Sequence, residues 1–150
     1  MKFWVTTPMG ASAMVVDSSA LLAVLFGEED SASYIEALAA GERKYISSLN
    51  LFEAAVVVEA RKGENGAKAF TALTANAELE VLPFDASQAE IALAAWRRFG
   101  RGRHPAGLNL GDCAAYALAI TLNERLLFKG TGFTRTDVAI YPAVSGNSEV

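Results

Sequence analysis

Short apolar runs alternate along the chain with longer stretches in which apolar residues return every three to four positions. MVVDSS at 14–19 is an apolar run closed by a carboxylate and two hydroxyls, the pattern of a buried parallel strand with polar groups at its carboxyl end. ALLAVLF at 20–26 reads as a helix stopped by Gly27. Asp30 or Ser31 is placed to cap a second helix, whose positions Tyr34, Ile35, Leu38 and Ala39 follow helical spacing up to Gly41. YISS at 45–48 reads as a second strand. Asn50 is then expected to cap a long helix to about Lys62, with Leu51, Ala54, Ala55, Val57 and Val58 on its buried face. GENG at 63–66 ends that helix and another follows over about 66–77. LEVLPF at 79–84 predicts a third strand and 86–99 a helix, before GRGRHPAG at 100–107 breaks the pattern as a loop. A helix from Leu110 to Asn123, a strand LLFK at 126–129 and a fifth strand in VAIYPA at 138–143 complete the reading.

Strands alternating with helices imply an α/β fold, a three-layer α/β/α sandwich with a mainly parallel central sheet joined by right-handed crossovers. At 150 residues the chain suits one domain, placed over 14–141. Residues 1–13 read as an extension or a start-site artefact, and 142–150 as a tail. ASA at 11–13 looks like a signal-peptidase site, but the apolar segment before Pro8 is too short for an export signal.

Composition adjusts this picture in three ways. Apolar residues make up 52% of the chain and charged ones 20%, with a mean hydropathy of +0.24, so helix faces must be buried in the core or in an interface, which favours a homodimer or a bound partner. No apolar run is long enough to cross a bilayer. The single cysteine, Cys113, excludes an internal disulfide, and no Cys/His spacing suits zinc; a cytoplasmic setting follows as the expectation. The net charge of −4 opposes indiscriminate coating of nucleic acid. Yet Arg97, Arg98, Arg101 and Arg103 crowd beside His104, leaving a local phosphate-facing patch open.

In open parallel sheets functional groups gather where strands end and helices begin. Asp17 closes the first strand, Glu53 lies three residues after Asn50, and Asp112 three residues after Asn109. Three carboxylates converging there would repel one another unless a cation neutralised them, and hard oxygen donors select Mg²⁺ or Mn²⁺. Such an ion lowers the pKa of a bound water and offsets charge on a phosphodiester under attack. The bland reading stands beside this one: an acid three residues after an Asn cap is also a capping-box pattern, favoured by the helix dipole. Ser18 either bonds a ligating carboxylate or caps the helix that follows.

MVVDSSALLAVLFGEE, SSLNLFEAAVVVEAR, LNLGDCAAYALA and RLLFKGTGFTRTDV, in that order, resemble the PIN-domain family and in particular the VapC-type toxins of toxin–antitoxin pairs. The resemblance covers 14–140. It implies an α/β/α fold, Mg²⁺ or Mn²⁺ dependence, endoribonuclease activity, dimerisation and a cognate antitoxin. It also implies that the family's three acids fall on Asp17, Glu53 and Asp112, as catalytic residues and metal ligands. A further acid is common after LLFKG, where this chain has Thr131 and Gly132; Asp137 in the ThrAsp pair is retained. Thr131 and Asp137 are therefore carried as uncertain members of the site. Lys129, Arg101, Arg103 and His104 are candidates for contact with RNA.

Two other classes compete. A degenerate PIN module would bind RNA or a protein without cutting. A phosphoryl-transfer domain with an aspartate nucleophile would share the sheet, but Asp17 is followed by two serines rather than by a second acid two residues on.

Overall fold

The computed structural model describes residues 12–143; apart from residues 12, 13, 142 and 143, the expected extension over 1–13 and tail over 142–150 lie outside it. The elements are β1 (Ala13–Val16), α1 (Ser18–Leu25), α2 (Ser31–Ala39), β2 (Arg43–Ser47), α3 (Ser48–Asn76), β3 (Leu79–Leu82), α4 (Ala86–Phe99), α5 (Leu110–Leu122) and β4 (Arg125–Leu127). One turn of 3-10 helix follows over Gly132–Arg135. All ladders are parallel, in the order β3-β2-β1-β4.

Strand β1 lies between β2 and β4, and all four of its residues are buried. Successive side chains of a strand point to opposite faces, so Met14 and Val16 join Leu21, Leu38, Ile46 and Val58 in one core, while Val15 joins Phe99, Leu118 and Leu126 in the other. Helices α1, α2 and α3 cover the first face and α4 and α5 the second, which is the three-layer α/β/α sandwich that the pattern predicts.

Several boundaries differ from expectation, each for a local reason. Helix α3 starts at Ser48 and is capped by Ser47, whose hydroxyl accepts from the Leu49 amide at 3.3 Å. Strand β2 thus runs straight into the helix, and Asn50 is an internal, fully buried residue rather than the cap. Asp17 occupies the cap of α1, so Ser18 does not cap it. Asp30 holds the cap position of α2 but makes no capping bond.

The expected fifth strand shrinks to a single parallel bridge between Leu126 and Ile140, held by Leu126 N–H to Ala139 O and Tyr141 N–H to Leu126 O, both 2.9 Å. The next carbonyl along that edge, Phe128 O, accepts instead from the Tyr34 hydroxyl at 3.0 Å.

The break near residue 63 is present as a kink within α3, where Gly63 takes φ 64° and ψ −152°. That backbone region is almost closed to residues with a Cβ. Gly63→Ala is therefore expected to cost about 1–3 kcal/mol, seen as a lowered urea midpoint. Nothing lies within 4 Å of the added methyl, so the loss would be conformational rather than steric.

Candidate active site

Three carboxylates from separate stretches of sequence lie within electrostatic reach of one another at the carboxyl edge of the sheet, and each is held in the same manner. Asp17 follows β1 directly, and its amide donates to Leu127 O at 2.9 Å, extending the β1–β4 ladder by one step. Its side chain then turns to cap α1: Oδ2 accepts from the Ser19 amide at 3.0 Å and from the Ser19 hydroxyl at 2.5 Å. Ser19 Oγ in turn accepts from the Lys129 amide at 2.9 Å, so the end of β4 aims the hydroxyl that orients Asp17. Asp17 Oδ1 is buried and has no hydrogen-bond partner.

Glu53 lies in the second turn of α3. Its Oε1 accepts from Ser18 Oγ at 2.8 Å and from Asn50 Nδ2 at 3.3 Å. The carboxylate lies directly against Gly111, where any Cβ would overlap it. Asp112 completes a capping box in the first turn of α5: its Oδ2 accepts from the Asn109 amide at 2.9 Å, and Asn109 Oδ1 accepts from the Asp112 amide at 2.8 Å. The capping bond uses one oxygen of Asp112 and leaves the other without a protein donor among the described residues. In all three acids, one oxygen is occupied by protein donors and the other has no protein hydrogen bond among the described residues.

The electrostatics reflect this crowding. Burial pushes the Asp17 carboxyl up to about 7; the two Ser19 bonds oppose the shift, and Asp112 and Glu53 add to it. Burial likewise raises Asp112, with the Asn109 amide bond and Arg101 opposing and Glu53 adding. The acids repel one another, and among the described residues no three Asp, Glu, His or Cys side chains are drawn together closely enough to cage an ion as they stand. The donor set fits a hard divalent cation: all oxygen, three free carboxylate oxygens, and one of them buried with nothing to pair it.

The other expected residues fall in various places. Lys129 reaches the same edge, but its ammonium is taken by Glu28 at 2.5 Å and Asp30 at 3.0 Å. Arg101 acts on Asp112 electrostatically, whereas the Arg103 guanidinium lies over the Trp96 ring at 4.6 Å and His104 packs edge-on against Phe99. His104 Nδ1 also accepts from the Ala106 amide at 3.0 Å, which ties the imidazole into its own loop. Asp137 does not fold back toward the acids. It accepts from the Tyr116 hydroxyl at 2.7 Å and pairs with Arg98 at 3.5 Å, and the Tyr116 bond holds its carboxyl below the usual range.

Thr131 is exposed, with its carbonyl engaged by Thr134. A Cβ at Gly132 would stand 2.9 Å from Ala106 O, so a carboxylate there would require the loop to shift. Ser19 and Asn50 are the residues whose part in the site the sequence did not disclose. The sequence points to Ser18, which does bond a carboxylate, that of Glu53, and passes over Ser19, which bonds Asp17; Asn50 carries the signature of a cap.

A parallel α/β/α sandwich with three acids at its carboxyl edge defines the class, and the chain belongs to the PIN domain family, whose model matches residues 14–139. Among its relatives, Ribonuclease VapC of Mycolicibacterium smegmatis is 44% identical over 126 residues, covering 84% of this chain and 98% of the relative. Ribonuclease VapC30 of Mycobacterium tuberculosis is 42% identical over 126 residues, covering 84% and 96%. Among solved structures, Mycobacterium tuberculosis VapC20, described as a sarcin-ricin loop cleaving toxin, superposes with a TM-score of 0.70 at 17% identity, covering 84% of this chain and 96% of that one. VapBC2 from Rickettsia felis, bound to a DNA fragment from its promoter, gives 0.67 at 20% identity, covering 85% and 96%.

Proposed function

We propose that this chain is a VapC-type endoribonuclease toxin that hydrolyses RNA phosphodiesters with a Mg²⁺ ion, replaceable by Mn²⁺, held by Asp17, Glu53 and Asp112. One observation carries the reading: three acids at one sheet edge each have one oxygen fixed by protein donors and the other left over. A purely structural cap or ion pair has no need of that repetition. The bound ion would supply a water acidified toward neutral pH and positive charge at the phosphate. The chain's own residues do the rest. Ser19 orients Asp17, Ser18 and Asn50 orient Glu53, and the Asn109 amide fixes Asp112, so that each acid is oriented in advance while the three close on the ion as it binds.

Arg101 is the basic side chain best placed to meet an RNA phosphate beside Asp112, because Lys129 is already paired and Arg103 is laid over Trp96. Arg101→Ala is expected to raise KM several-fold with kcat little changed, and to flatten the salt dependence of KM. Titration of cleavage rate against RNA at two ionic strengths reads this out; an unchanged KM would remove Arg101 from the substrate path.

A protein partner is supported by the surface of α3, where Phe52 is 68% and Val56 50% exposed along a groove shared with Ala55 and Glu59. The relatives' names and the VapBC complexes among the structural neighbours support a cognate antitoxin as one such partner; a homodimer, the other, rests on the exposed apolar surface alone. No helix among the described residues is long and apolar enough to cross a membrane, in keeping with a cytoplasmic site of action. The deciding experiment is RNA digestion with Mg²⁺ or Mn²⁺ beside a chelated control. Degradation that survives chelation and loss of the acids would end the reading.

A further inference from the structure

Asn50 is wholly buried, yet it touches two of the three acid-bearing segments. Its Nδ2 donates to Gly111 O at 2.9 Å and to Glu53 Oε1 at 3.3 Å. Both neighbours are acceptors, which fixes the orientation of the amide: the NH₂ group must face them and Oδ1 must face away. Oδ1 then has no donor at all, a cost of about 1–3 kcal/mol for a buried acceptor. A residue chosen only for packing would not carry that cost. Neither aspartate nor leucine at this position offers a donor, whereas the two hydrogens of an amide serve both acceptors at once.

The geometry adds a second constraint. Gly111 precedes Asp112, and its missing Cβ is what admits the Glu53 carboxylate against the backbone of α5. Asn50 therefore clamps the first turn of α5 to α3 at the one point where the two acids approach, with one hydrogen on each side of the junction.

We propose that Asn50 is a positioning residue that sets the separation between Glu53 and Asp112 and thereby the affinity of the site for a divalent cation. This rests on the metal-site reading above, so the test keeps the two apart. Mn²⁺ binding is measured by electron paramagnetic resonance on the full chain for wild type, Asp17→Asn, Asn50→Ala, Asn50→Leu and Lys44→Met, with thermal midpoints recorded alongside. Lys44 is a control of comparable burial near the opposite, amino-terminal end of β2, where it bonds Ala40 O and Glu42 O.

If wild type binds no Mn²⁺, or Asp17→Asn binds it equally well, the metal-site reading itself fails. If that reading holds, the Asn50 variants are expected to bind Mn²⁺ about ten- to a hundredfold more weakly, with Lys44→Met unchanged even where its thermal midpoint is lower. Folded Asn50 variants with wild-type affinity, or a loss in Lys44→Met as large as theirs, would overturn the proposal. Should neither Asn50 variant fold, the wild-type side-chain amide resonances of Asn50 decide. They are expected to shift on Mg²⁺ addition in step with saturation of the site, and resonances that stay in place would overturn it.

Discussion

Asp17→Asn is expected to remove RNA cleavage by about a thousandfold or more and, in the same protein freed of metal, to raise stability at neutral pH. The two effects have opposite signs because one carboxylate causes both. In the unfolded chain Asp17 titrates near its ordinary value of 3.8, and in the folded chain near 7. Below about pH 4 both states carry the proton and the residue contributes nothing to the balance. As pH rises from about 4 to 7 the unfolded chain releases the proton while the folded chain retains it, so stability falls. Above about 7 the full penalty is present, about 4 kcal/mol for a shift of this size.

Asparagine never ionises and escapes that penalty. It leaves a buried N–H in place of Oδ1, at a cost of about 1–3 kcal/mol, so the net gain is smaller but keeps its sign. Urea midpoints at pH 5 and pH 8 in chelator check this: wild type should lose stability relative to the variant across the interval. Parallel pH profiles would mean that Asp17 is not held uncharged by burial. Added Mn²⁺ should restore the wild type and leave the variant unmoved, since a ligand stabilises only the state that binds it.

Gly111→Ala is the second substitution with a large expected effect, and it separates function from folding. The new methyl would overlap the Glu53 carboxylate. That carboxylate is the far end of a flexible side chain, so it can swing away, breaking its bonds to Ser18 and Asn50. Alanine also favours the helical backbone over glycine by about 1 kcal/mol. Stability should therefore change by no more than about 1 kcal/mol, while displacement of the acid by a fraction of its own length lowers kcat/KM about a hundredfold. A matched pair of urea and cleavage measurements reads both. Activity close to wild type would show that Glu53 tolerates displacement and is no ligand.

Much of this molecule is legible in its sequence. The run MVV read as a buried strand because both faces of a parallel sheet are covered, and β1 is buried along its whole length. Helix α4 falls on 86–99 as its apolar spacing required. Where the structure departs from the local signals the cause is shared: other groups compete for the same role. Asn50 has the chemistry of a cap, but Ser47 at the strand end already provides one. VAIYPA has the composition of a strand, but only one bridge forms, and the next carbonyl along that edge, Phe128 O, accepts from Tyr34 instead. Lys129 is a lysine beyond a strand end, and only the fold shows that Glu28 and Asp30 of the α1–α2 turn pair with it.

The sequence by itself determined the order of strands and helices and the residue types at the sheet edge, because periodicity and end signals are carried within a few positions of each residue. Tertiary structure alone decided the bonds that reach across the chain, whereas the Asn109–Asp112 capping box is local and is carried by the sequence. Asp17 depends on a serine aimed by the amide of Lys129, and Glu53 on a serine and an asparagine from two different helices. Hydrogen bonds act over about 3 Å, and contacts that short between residues 35 to 110 positions apart exist only once the whole sheet has closed.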